Sequence, residues 1–135
     1  MKKRFMLSTA GFAAVAIAGS AVADIDVSVD GAYLLGGEMV AVDLGLVSGT
    51  LTGISYSYSW ANTAGDSSWS SDMLLGVSAS GVMVSLGGYN LGFGGSSWGG
   101  LNGSYNTGTF SGYASGSMAM NGAGASETTY ESDED

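Results

Sequence analysis

Apolar residues in this chain recur at every second position, and after Ala23 they nowhere recur with the spacing of a helix face. Successive side chains of an extended strand point to opposite faces, so a period of two marks strands with one buried face. The clearest run is Thr50 to Trp60. There Thr52, Ile54, Tyr56, Tyr58 and Trp60 alternate with Gly53, Ser55, Ser57 and Ser59, which gives an aromatic face and a serine face. Ile25, Val27 and Val29 alternate with Asp26, Ser28 and Asp30 in the same way. Met39 to Leu46 repeats the pattern with Val40, Val42, Leu44 and Leu46 inward and Asp43 outward, and Val47-Ser48-Gly49 reads as a turn.

Further along, Met73, Leu75, Val77 and Ala79 alternate with Asp72, Leu74, Gly76 and Ser78. Ser80-Gly81 is a hairpin signal, after which Val82, Val84 and Leu86 point inward. Tyr89, Leu91 and Phe93 suggest a short strand before a Gly/Ser/Trp loop from Gly94 to Ser104. Tyr105 to Tyr113 alternates again, and Ser117 to Met120 does so weakly. The 24 glycines and the lack of proline suit many short strands joined by tight turns. About seven such strands fit a β-sandwich or a small barrel and predict an all-β fold, with an antiparallel β-sandwich over residues 24–120 as the leading form. From Asn121 to Asp135 there is little to bury, and the segment ends in acids, which predicts a disordered acidic tail.

The start of the chain has a different character. Met1-Lys2-Lys3-Arg4 is followed by an apolar run from Phe5 to Ala18 and by Ala21-Val22-Ala23 before Asp24. Basic, apolar and A-x-A regions in that order are the marks of a signal peptide, so a cleaved signal helix is expected over residues 1–23 and an exported location for the rest. Ser8, Thr9 and Gly11 break the apolar run, which is short for a spanning helix. Outer-membrane barrels share the alternation, but the strands read as shorter than the ~9 to 11 residues needed to span, and the chain ends in acids rather than an aromatic girdle.

Cleavage would remove Lys2, Lys3 and Arg4, the only basic side chains, leaving 112 residues with twelve acids and a formal charge of −12. Such a surface repels nucleic-acid phosphates and anionic membranes, both of which are bound through Lys and Arg. It attracts cations. There is no cysteine, and after Ala23 no histidine or lysine, so an activated serine or thiol nucleophile and a zinc site lack their usual groups. A pair of carboxylates could serve a glycosidase, yet the two longest loops hold one acid between them, Asp66. No enzyme is expected.

Calcium needs only oxygen ligands. Asp66-Ser67-Ser68-Trp69-Ser70-Ser71-Asp72 offers two carboxylates with hydroxyls and carbonyls between them, without the glycine and terminal glutamate of an EF-hand. Asp66 and Asp72 are therefore the candidate metal ligands, with Asp24, Asp26 and Asp30 as a second set. Solvated turn and strand-end acids are the plainer account of both. Trp69 and Trp98, placed in loops, are candidates for stacking on sugars, and the strand aromatics fit a core.

The segment Ser71-Asp72-Met73-Leu74-Leu75-Gly76-Val77-Ser78-Ala79-Ser80-Gly81-Val82-Met83-Val84-Ser85-Leu86 resembles the central hairpin of the proprotein-convertase P-domain family, in which an aspartate opens an apolar strand, Ser-Pro-Ser-Gly makes the turn and the next strand ends in Leu. Ile54 to Trp60 is similar to the strand leading into it. Ala79 stands where the family has proline, and the later Gly-Thr-Trp strand is matched by Gly108-Thr109-Phe110. The resemblance implies a jelly-roll sandwich, an accessory or stand-alone exported module, calcium in some members, and Asp72 as the family's aspartate. A secreted binding or structural module, meeting an extracellular protein or polysaccharide, is the leading expectation. The alternatives are a self-assembling matrix protein and a carbohydrate-binding module using Trp69 and Trp98.

Overall fold

Two strands far longer than the alternation suggests organise the chain. The computed structural model describes residues 4–18, 23–29, 32–35, 38–62, 69–88, 96–103 and 107–130. Among these are eight strands: β1 (Arg4–Ala18), β2 (Ala23–Val29), β3 (Ala32–Leu35), β4 (Met39–Asn62), β5 (Met73–Ala79), β6 (Val82–Gly87), β7 (Ser96–Gly99) and β8 (Gly108–Tyr130). All belong to one sheet in the order β2-β1-β4-β8-β5-β6-β7, with β3 also on β1. The fold is all-β, as expected, and the sheet is mixed because β6 and β7 run parallel. The expected strands of two antiparallel jelly-roll layers thus share a single sheet.

The antiparallel ribbon of β4 and β8 is the axis of this sheet, paired from Met39↔Thr129 to Trp60↔Gly108. Laid straight, it would separate Met39 from Trp60 by about 70 Å. Yet Trp60, at one end, stacks on Tyr130, at the other, with ring centroids 5.0 Å apart. The ribbon therefore bends back on itself. β1, β2 and β3 lie beside one half, β5, β6 and β7 beside the other, and side chains from both halves share one core.

Bulges supply the bend and reset the alternation. Register shifts fall between Asp43 and Gly45 and between Leu51 and Gly53. Gly45 has φ +74°, a conformation costly for any residue with a Cβ, and its N–H donates to Asp43 Oδ1 at 2.7 Å. One extra residue in a strand moves everything after it to the opposite face. Val40, Val42 and Leu44 face the core, but after the Gly45 bulge it is Val47 that is buried, and Leu46, expected inward, is 91% exposed. The second bulge restores the phase, so Ile54, Tyr56, Tyr58 and Trp60 are buried together. The expected turn at Val47-Ser48-Gly49 is instead part of an unbroken strand.

Other expectations divide in the same way. The Ser80-Gly81 hairpin is present, with φ +53° and +76° at its two central residues, the pattern of a type I′ turn. Val84 and Leu86 are buried, while Val82 is half exposed. The shared face of Thr107, Thr109, Ser111 and Tyr113 is the exposed one. The disordered tail expected from Asn121 does not begin there. Residues 121–130 continue β8, paired with β4 on one side and β5 on the other, and bury Ser126, Thr128, Thr129 and Tyr130. Their few apolar groups hide this from a composition argument, since the strand is held by backbone ladders on both edges. Tyr89, Leu91, Phe93 and Tyr105 lie outside the described residues or side chains.

The segment expected as a signal helix differs too. Its apolar run, expected as a helix, is extended as β1 between β2 and β4. Phe5, Thr9, Val15 and Ile17 are good strand residues, and the edge of β4 offers a backbone ladder along residues 50–62. The strand-length objection to a membrane barrel also falls, since β4 and β8 have 24 and 23 residues. The aromatic face of β4 is inward, and the opposite face presents Ser57, Thr109, Ser111 and Tyr113 outward.

Candidate functional site

Two tyrosines of β4 bring the two loop regions singled out above into one place. The Tyr58 hydroxyl lies 3.1 Å from the carbonyl oxygen of Ser70 and 3.2 Å from that of Asn102, and can donate to either. The Asn102 N–H donates to Tyr56 Oη, and the Asn102 side-chain amide donates to the Ser111 carbonyl at 3.0 Å. Ser70 belongs to a single 3₁₀ turn, Ser70–Asp72, closed by the Asp72 N–H donating to the Trp69 carbonyl at 3.1 Å. Asn102 follows β7. The segments before β5 and after β7, remote in sequence, are thereby fastened over the aromatic face.

Between them lies an open cleft of about 480 Å³ lined by Ser71, Asp72, Gly87, Gly88, Ser97, Gly99 and Gly100. Glycine is required at its floor. Gly87 has φ +72°, and a Cβ there would overlap the carbonyl oxygen of Met73. The Gly88 N–H donates to that same carbonyl at 3.0 Å, which closes the end of the β5/β6 hairpin. Ser97 Oγ accepts the Gly99 N–H at 3.3 Å. Asp72 is the single ionisable group of the wall and is only 6% exposed. The polar groups of the wall are thus a carboxylate, two hydroxyls and backbone amides. Such a set suits a hard cation or a hydroxyl-rich ligand, and holds no imidazole, amine or thiol for nucleophilic chemistry.

The expected site residues fare unequally. Asp72 is in the cleft wall. Asp66 lies outside the described residues, as do Asp30 and the side chain of Asp24, while Asp26 is exposed on β2. Among the described residues no three His, Cys, Asp or Glu side chains gather as a metal cluster. Trp69 is 49% exposed, one residue from the fastened Ser70. Trp98 is on strand β7 rather than in a loop, and its indole lies where a Cβ on Gly116 would be, so its ring is spent on packing. Tyr58 and Asn102, which hold the cleft together, carry no motif. The only trace of Tyr58's role in the sequence is its place on the inward face.

Burial pushes the Tyr58 phenol up to about 12 from its ordinary value of 10. The Ser70 side chain offsets part of this, and neighbouring Tyr56 adds to it. Because the folded value is the higher, the folded chain keeps the proton across this window. The associated stability is complete below pH 10 and is lost as the pH rises through 12. An ultraviolet difference titration of wild type against Tyr58→Phe is expected to show one phenol ionising near pH 12, together with unfolding. A component titrating near 10 would mean that the Tyr58 hydroxyl is solvated.

No protein-family model, curated protein or solved structure matches this chain.

Proposed function

We propose that this is an exported, non-catalytic β-sheet module of the cell exterior, of binding or structural role, whose cleft holds calcium weakly through Asp72. The observation that carries the reading is the position of Asp72, a nearly buried carboxylate at the wall of a glycine-floored, oxygen-lined cleft. After Ala23 the chain has no Lys, Arg or His, so once residues 1–23 are removed no cationic side chain competes with a solvent cation for the cleft. One carboxylate with neutral oxygens corresponds to the weak end of calcium sites, with dissociation constants of about 0.1 to 1 mM, as in extracellular modules. Ser71 and Ser97 hydroxyls and the carbonyls of the glycine loop would complete the shell. Export is supported by the basic, apolar and A-x-A order of residues 1–23, and the hairpin's resemblance to P-domains supports a secreted module with Asp72 as the family's aspartate. Trp69, exposed beside the cleft, is where a polysaccharide or protein partner would be met.

The test is a thermal melt of the secreted protein followed by far-ultraviolet circular dichroism, in EDTA and in 10 mM calcium. Ligand at ten times its dissociation constant adds roughly 1.4 kcal/mol, so the midpoint is expected to rise by a few degrees. Asp72→Asn is expected to remove the rise. A wild-type midpoint indifferent to calcium would discard the ion and leave the β-sheet module.

A further inference from the structure

We propose that loss of the leader turns the edge of β4 over residues 50–62 into a pairing surface for a second copy of this chain. The inference rests on the reading just given, export with cleavage after Ala23. β1 sits between β4 and β2, and it pairs with β4 from Phe5↔Asn62 to Ala18↔Thr50. Cleavage after Ala23 removes β1 whole. The leader is thus also a strand of the sheet, and the mature chain cannot keep the hydrogen-bonding pattern of the full one. Backbone N–H and C=O groups on that side of β4 are then left to water or to another strand, and form a template for pairing.

Natural sheets guard an open edge with charge, proline or brevity. Residues 50–62 have none of these: the segment is long and contains neither a charged residue nor proline. That is notable in a chain whose mature charge is −12, since all twelve acids fall elsewhere. The other outer strands described are guarded, β7 and β3 by their four-residue length and β2 by Asp24 and Asp26.

The segment is also compatible with itself. An antiparallel pair around a two-fold axis at Tyr56 sets Ile54 opposite Tyr58 and Ser55 opposite Ser57. Aromatic face then continues aromatic face, and serine face continues serine face. The chain's own β2 is the rival occupant. It runs antiparallel to β1, which runs antiparallel to β4, so in its present direction it would close the gap as a parallel neighbour, the weaker pairing per residue.

The experiment is to express the full chain, leader included, in an exporting bacterial host and to analyse the purified product by intact mass, native mass and amide hydrogen exchange. A chain beginning at Asp24, dimeric, with slow exchange over residues 50–62, is expected. Ser57 is exposed on β4 and would meet its copy diagonally across the axis, so Ser57→Lys is expected to weaken the dimer by about tenfold. Ser111→Lys, on the same face but one strand inward, is expected to change it by less than about twofold. A processed monomer overturns the proposal and leaves export standing; slow exchange over 50–62 in that monomer would show that β2 has moved in. Equal effects of the two lysines would also overturn it. A product that keeps its leader removes the export reading, and the surface with it, because β1 stays in place.

Discussion

A chain ending at Met120 is expected not to fold. Among the described strands, the ten residues it lacks from β8 are what joins β5 to β4: on one side they pair with β4 from Met39 to Ser48, and on the other they carry β5 from Met73 to Ala79. Without them β5, β6 and β7 lose their ladder to the rest of the sheet and keep only the Tyr56 and Tyr58 hydrogen bonds and the packing of Trp98 on Gly116, and Tyr130 leaves the core. Burial of one such ring is worth about 2–3 kcal/mol, and the lost ladders and the exposed face of β5 come on top of it. Domains of this size are stable by only about 5–15 kcal/mol in all. Far-ultraviolet circular dichroism of the truncated chain should therefore show no cooperative thermal transition. A cooperative β-type melt would mean that residues 121–130 are the dispensable tail that their composition suggests.

Trp60→Ala and Tyr130→Ala are each expected to destabilise the chain by about 3–5 kcal/mol, since both side chains are only 1% exposed and each would leave a cavity in the core. The pair tests the bend more sharply than either variant alone. The two residues are seventy positions apart and sit at opposite ends of the β4/β8 ribbon. In a straight ribbon they would be independent. In the bent one they stack at 5.0 Å with an interplanar angle of 29°, and a double-mutant cycle read by urea unfolding is expected to give a coupling of about 0.5–1.5 kcal/mol. A coupling near zero would rule out the bend, whatever the single variants do.

These two results bear on the parts of the structure that the amino-acid order conceals. A strand announces itself through alternation, and alternation is a local property. Ile54 to Trp60 and Met73 to Leu86 were therefore legible as strands, the second with its turn at Ser80-Gly81. A bulge leaves a weaker mark. Gly45 and Gly53 stand where the phase changes, but a glycine in an alternating run signals a turn as readily as a bulge, so Leu46 is assigned to the wrong face and one long strand is divided into two. Residues 121–130 are hidden for a different reason. They are held by backbone hydrogen bonds on both edges, and such bonds do not depend on side-chain identity.

The site was half visible. Asp72 could be picked out because with Asp66 it brackets a loop of hydroxyls and carbonyls, and Trp69 because it stands outside the alternating strands. The partnership of Asp72 with Ser97 and the glycines of β6 and β7 could not be read, because it depends on where the segment after β7 comes to rest. Nor could Trp98 be assigned to packing without knowing that Gly116 lies beneath it.

By itself, then, the sequence determined the all-β class, the inward aromatic face of β4, the hairpin of β5 and β6 and the lack of any cationic side chain after Ala23. These follow from side-chain period, turn chemistry and charge, which act over a few residues or simply add up. The tertiary structure decided that the strands form one bent sheet, that β8 runs to Tyr130, that the leader takes a place in the ladder and that Asp72 faces a glycine-floored cleft. All of these depend on which backbone edges meet, and the N–H and C=O groups that pair there are the same in every residue but proline.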